Sequence, residues 1–307
     1  MHPAASVIFF TVSSGAGYGL LAAAGVAAAL GLFGTHPSLG IAAVTLGLAL
    51  ATAGLLSSTF HLGHPERAWR AVSQWRTSWL SREGVAALVT YIPAGVLWLA
   101  LVFGLRTGPA VAALGIASAV CAVATVWCTG KIYAVLKPIR EWHTPWTVPV
   151  YLAFAAATGL VLWQALFALL GPAEGAVWWL VAALAALLAA VLAKQAWLNF
   201  LRTAPPAATR ESATGLSGRG TVRVLEPPHT GANYLLEEMG FRIGRKHAEQ
   251  LTAIMKGAGL AATVLLLLAI AWPPLAVPAA LCALLFAAVE RWLFFATATH
   301  TVMLYYR

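Results

Sequence analysis

The sequence predicts an all-α integral membrane fold: eight transmembrane helices in two four-helix groups, with a long loop between helices six and seven. Three observations predict it. Of 307 residues, 61% are hydrophobic and only 9% are charged, and the mean hydropathy is +0.81. A soluble domain carries about a quarter charged residues, so little soluble mass belongs to this chain. Eight apolar stretches approach or exceed the roughly 20 residues that a spanning helix needs, at about 5–33, 39–62, 83–105, 109–136, 147–170, 176–201, 253–272 and 275–304. Backbone groups in lipid must be satisfied within their own segment, which makes these runs helices rather than open strands.

The first stretch follows MHPAASVIFF, which lacks the positive n-region of a signal peptide and leads into a run too long for one, so a retained helix is expected. Its SSGAGYG segment has no preceding strand and is no phosphate loop. Gly15, Gly17 and Gly19 are expected to form a close helix-packing face. The second stretch ends at His61 and opens into the most polar loop, HLGHPERAWRAVSQWRTSWLSREG, which reaches Glu83 at the start of the third. The fourth ends in WCTGKIYAVLKP, the fifth follows EWHTPWTVP, and the sixth runs into the 202–252 segment. That segment begins as TAPPAATRESATGLSGRG, a flexible composition. It continues as VRVLEPPHTGANYLLEEMGFRIGRKHAEQ, whose apolar anchors and helical pattern from Asn233 suit a docking surface. Trp272-Pro273-Pro274 breaks the last two stretches into a hairpin. Three parts result: 1–201 with helices one to six, the 202–252 linker and docking loop, and 253–307 with helices seven and eight.

Alternate crossings put both termini and the 63–82, 137–146 and 202–252 loops on one side, and only short turns on the other. Of the 19 Lys and Arg, Arg106 lies on the short-turn side and Arg291 within a helix; the rest fall on the long-loop side or at helix ends facing it. The positive-inside rule then places both termini and the long loops in the cytoplasm, in a bacterial inner membrane. The competing account is an acidic partner outside the cell. No nucleic-acid partner is expected; membrane lipid is.

Ionisable residues at membrane depth are functional candidates by default. His61, Glu83, Lys131 and His300 each sit near the basic-side end of a different stretch, which suggests a polar pocket. A histidine and a carboxyl offer what reversible quinol oxidation needs, because two hydroxyl protons must leave with two electrons. Trp69, Trp75 and Trp79 suit an interface, and Arg67, Arg70, Arg76 and Arg82 also suit lipid phosphates. Helix-start stabilisation is the structural account of Glu83, snorkelling that of Lys131, and an internal ion pair that of Glu290–Arg291. Metal chemistry finds little support. The chain has no Asp, its cysteines (Cys121, Cys128, Cys282) form no CxxC pair, and only His61 and His300 share a depth suited to haem ligation. No intrinsic metal or haem is expected.

On SVIFFTVSSGAGYGLL, FHLGHPERAWRA, SREG, WCTGKIY, EWHTPWTVP and the ERWLFF segment with its following His300, the chain resembles the DmsC family. These are membrane-anchor subunits of dimethyl-sulfoxide-reductase-type molybdoenzymes, within the wider NrfD-like anchors. HLGxPxRA is the most specific element. The resemblance implies eight helices without a redox cofactor of their own and electron exchange with a quinone, ubiquinone or menaquinone. It also implies a ferredoxin-like iron–sulfur partner and a molybdopterin catalytic partner. It assigns quinol binding to His61 and Glu83. Arg67, Trp79, Lys131 and Tyr133 complete the expected site, Arg67 and Lys131 holding a quinone oxygen. The VRVLEPPHTGANYLLEEMGF insertion is similar to the SoeC-type anchors of sulfite-oxidising complexes, which points to a sulfite dehydrogenase. A DMSO- or polysulfide-type reductase anchor running from quinol, a purely structural anchor and a transporter stay open. A transporter would show broken helices at mid-membrane and internal repeats, and a structural anchor would not need the polar cluster.

Overall fold

Eight helices long and apolar enough to cross a membrane carry the chain back and forth in a computed structural model. It describes residues 4–60, 62–172, 175–205, 208–226, 231 and 247–305. The helices are α1 Ala5–Ala29, α2 Pro37–Thr59, α3 Trp79–Val102, α4 Pro109–Ala134, α5 Thr147–Leu170, α6 Ala176–Thr203, α7 Ala248–Leu268 and α8 Ala276–Ala296. The chain is a multi-pass membrane protein.

Three helices make the centre. The most apolar windows of α1, α5 and α8 are 67%, 61% and 67% buried, against 28–39% for the other five, which face lipid. Around α1 pack α2 and α4, with α3 on α4; around α5 pack α6 and α8, with α7 on α8. These are the two four-helix groups, joined chiefly along α1–α5 and α4–α5. Helices cannot be driven together in lipid by water, so small residues that let backbones touch must do it. Gly17 lies on the Gly47–Ala51 backbone of α2, and Gly19 lies against Ala155 and Gly159 of α5. The expected glycine face is thus two faces on one helix. Gly15 is looser, with only the Ala155 Cβ at 4.0 Å from where its own Cβ would be.

Several boundaries differ from the apolar runs, each for a local reason. α1 stops at Ala29, because Gly31 takes the left-handed conformation (φ 75°) that closes a helix. α3 starts at Trp79, four residues before the apolar run, because Ser78 accepts a hydrogen bond from the Ser81 N–H (3.5 Å). α8 stops at Ala296. Beyond it the backbone bridges to Ile139 through His300 and turns through Thr301–Tyr305. A 3₁₀ turn, Pro273–Leu275, makes the expected hairpin between α7 and α8.

The 137–146 loop fastens the basic-side helix ends together. Trp142 Nε1 donates to Phe294 O of α8 and Trp197 Nε1 of α6 donates to Glu141 O, each at 3.0 Å. Glu141 Oε2 accepts from Thr299 N at 3.0 Å, and Arg140 donates to Leu201 O (2.8 Å) and to Ala204 O.

Candidate functional site

Glu83 lies in the second turn of α3 and is 5% exposed. The early start of α3 takes it beyond the free N–H groups of the helix end, so helix-start stabilisation does not explain it. Its partner is across the helix interface. Thr129 of α4 donates to Glu83 Oε1 at 2.5 Å and also reaches its own Thr125 carbonyl at 3.1 Å. One turn deeper, Thr90 and Thr125 share a 3.0 Å hydrogen bond. A ladder of threonines therefore lines the α3–α4 interface below a carboxyl group that is cut off from water.

The ends of α3 and α4 carry an aromatic and cationic cluster. Trp79 meets Trp127 edge-on (centroids 5.0 Å apart, planes at 79°). Lys131 Nζ lies 5.3 Å from the Trp127 centroid and 6.0 Å from that of Trp79, and Arg82 covers Trp79 at 4.2 Å. Arg82 also donates to Trp75 O (3.0 Å) and Arg76 O (2.6 Å), tying the 62–78 loop to α3. The structure thus brings Trp79 and Lys131 together at the α3–α4 ends, with Glu83 one turn below Trp79 on α3.

The remaining expected members make other contacts. Arg67 is exposed on the 3₁₀ turn Pro65–Val72 and pairs with Glu66 at 3.7 Å. Tyr133 faces the opposite group, stacked on Tyr151 (5.6 Å, 16°) and edge-on to Trp142, Phe294 and Phe295. His61 lies outside the described residues, as does most of the 222–252 docking segment. His300 Nδ1 accepts from Val302 N at 3.1 Å, which makes it a local turn-former.

A second buried polar centre lies between α6 and α8. Lys194 Nζ donates to Glu290 Oε1 at 2.8 Å, and Arg291 Nε lies 2.7 Å from Glu290 Oε2; all three side chains are buried. The guanidinium lies 3.8 Å above the Tyr151 ring. Among the described residues, Arg291 Nη1 and Nη2, Tyr151 OH and Tyr18 OH are buried with no hydrogen-bond partner. Arg291, Tyr151 and Tyr18 line a cavity of about 20 Å³ together with Thr129, the donor to Glu83. A polar space of that size holds about one water, which such groups require.

Against known proteins, residues 1–213 match the family DMSO reductase anchor subunit (DmsC). The chain belongs to the DmsC family. It is 40% identical to the C subunit of the sulfite dehydrogenase of Allochromatium vinosum over 187 residues, covering 56% of this protein and 57% of that subunit. It is 30% identical to the C subunit of the anaerobic dimethyl sulfoxide reductase of Escherichia coli K12 over 95 residues, 31% of this protein and 33% of that one. The chain therefore spans between a third and about three-fifths of the length of these curated relatives. No solved structure matches.

The DmsC match takes in α1–α6, hence Glu83, Thr129, Lys131 and Lys194, and stops before Glu290 and Arg291. Sequence reasoning missed Thr129, Trp127 and Lys194. Lys194 had a signal, a lone cation inside the 176–201 apolar run. Thr129 and Trp127 had none, because their roles come from α3 being packed on α4.

Proposed function

We propose that this DmsC-family chain anchors a molybdopterin oxidoreductase to a bacterial inner membrane and exchanges electrons between the quinone pool and a partner iron–sulfur subunit. The likeness to a sulfite dehydrogenase subunit favours sulfite as the oxidised substrate of that complex. The observation that carries the reading is Glu83: a carboxyl buried one turn inside the basic face and bonded to Thr129 of the neighbouring helix. A structural anchor has no use for such a group, and burial of an ionisable residue at this depth is costly without one.

A bound quinone supplies a two-electron, two-proton couple. The residues that fit it are a proton carrier, Glu83; a fixed positive donor, Lys131; and aromatic walls, Trp79 and Trp127, that exclude water. Glu83 holds or releases the proton at its carboxyl, and Thr129 orients that carboxyl. Lys131 donates to a ring oxygen. His61 and Arg67 complete the proposed set from the loop side.

Glu83→Gln keeps the hydrogen-bonding shape and removes the exchangeable charge. In the assembled complex it abolishes quinone-coupled turnover while leaving dye-coupled activity of the soluble partners intact. Normal quinone kinetics in a well-assembled variant would overturn the reading.

A further inference from the structure

The α4–α5 seam carries a groove with a polar head and an apolar tail. At its basic-face end is a chamber of about 740 Å³ whose lining includes Lys131, His143 and Thr144. Deeper lies a trough of about 750 Å³ formed by Ala22 and Val26 of α1, Val120 and Val123 of α4, and Ala156 and Leu160 of α5. Chamber and trough share Trp127 and Leu152 in their walls, so they adjoin end to end along the seam. From Lys131 to Val120 it follows about 16 Å of helix axis, at 1.5 Å per residue. Each part has the size of a small-molecule site, roughly 300–1,000 Å³.

The chamber's polar groups are complementary to each other. His143 Nδ1 lies 2.6 Å from Ala134 O. A carbonyl only accepts, so Nδ1 carries the hydrogen, and in the neutral ring Nε2 is left as an acceptor. Lys131 only donates. One donor and one acceptor beside each other suit a ring with two oxygens that alternate between carbonyl and hydroxyl.

We infer that the α4–α5 groove seats a quinone lengthwise, with its ring in the chamber at Lys131 and His143 and its isoprenoid tail in the trough. This rests on the quinone reading above for its ligand, and adds a seat whose lining does not include Glu83, with His143 as its proton-accepting residue. Lys131 belongs to both settings: the Trp79–Trp127 wall and the chamber. A phospholipid has the same head-to-tail polarity and is the competing occupant, which the test below separates.

The test uses the whole complex in membranes and photoreactive azidoquinones. Cross-linked peptides are mapped by mass spectrometry, and short-tailed and long-tailed unlabelled ubiquinones and menaquinones compete for the label. Label is expected on the peptides that carry Lys131 and His143, with long-tailed quinone the stronger competitor. Ala156→Phe narrows the trough and should lower the long-over-short preference, from lost van der Waals contact along the tail. Val120→Trp, at a position 62% exposed where folding is not at risk, should act the same way. Label confined to the α2 and α3 ends, or an unchanged preference in both variants, overturns the inference and leaves the trough to phospholipid acyl chains. Quinone-coupled turnover of the wild-type complex, measured in the same membranes, tells this failure from failure of the quinone reading itself.

Discussion

Thr129 decides how Glu83 can work. Its hydroxyl donates to Glu83 Oε1 at 2.5 Å, and no other hydrogen bond to that carboxyl is found among the described residues. A hydrogen bond to a charged group contributes about 1.5–3 kcal/mol, so its loss should change the carboxyl's proton exchange by about tenfold or more. Thr129→Val keeps the shape and removes the donor; Thr129→Ser keeps the donor. Quinone-coupled turnover is expected to fall about tenfold in the first and to stay near wild type in the second, with the pH profile displaced only in the first. Equal loss in both would make Thr129 a packing residue. Glu83 itself was legible as a candidate from its place at the edge of an apolar run. Its partner was not, because a threonine in WCTGKIY looks like any other small polar residue until α3 and α4 are packed together. His143 was just as hidden, since nothing in EWHTPWTVP says that its Nδ1 is spent on a carbonyl of α4.

At the scale of elements, apolar run length and turn chemistry made all eight helices readable, and the ends of those helices were less so. Ser78 and Gly31 explain two of the differences: one cap begins α3 inside a polar loop, and one glycine stops α1 inside an apolar run. The ion pair expected for Glu290–Arg291 exists, but it is a triad, because Lys194 on α6 completes it. This brace pins α6 to α8 in a region where neither helix has a close glycine contact with the other. Its two cations face one carboxylate, so removing the carboxylate leaves two buried like charges. Breaking a buried pair this way costs about 3–5 kcal/mol, whereas replacing every member by apolar groups is often neutral. Glu290→Gln should therefore lower the midpoint of thermal unfolding in detergent sharply. The combined change Lys194→Met, Glu290→Leu and Arg291→Met should recover most of it. Recovery of stability without recovery of quinone turnover would show that the triad, through the cavity it shares with Thr129 and Tyr18, also serves the site. Full recovery of both would confine it to bracing.

Across the whole molecule, polarity is one-sided. The candidate site, the clamp around Glu141, and the loops with most of the basic residues share one face, and the opposite face has short turns. On the proposed function, electrons enter or leave across the basic face, and a partner would sit on the surface above Glu83. That surface is built for contact. In the 62–78 loop Trp69 and Trp75 are 69% and 52% exposed, and each carries an arginine over its ring, Arg70 at 5.4 Å and Arg76 at 5.7 Å. Tryptophan and arginine together are the residues that most often carry binding energy at protein interfaces. Lipid headgroups are the competing occupant, because tryptophan also suits the membrane interface. The two accounts separate on the paired change Trp69→Ala with Trp75→Ala. Arg82 remains to hold the loop on α3 through the Trp75 and Arg76 carbonyls, which any residue supplies, so the loop keeps its course. If the loop docks the iron–sulfur partner, the variant still inserts but the partner appears in the soluble fraction, with affinity reduced about a thousandfold, since two such anchors contribute about 2 kcal/mol each. If the tryptophans only meet lipid, the partner stays on the membrane at its native affinity, and docking must fall to the segment beyond residue 226.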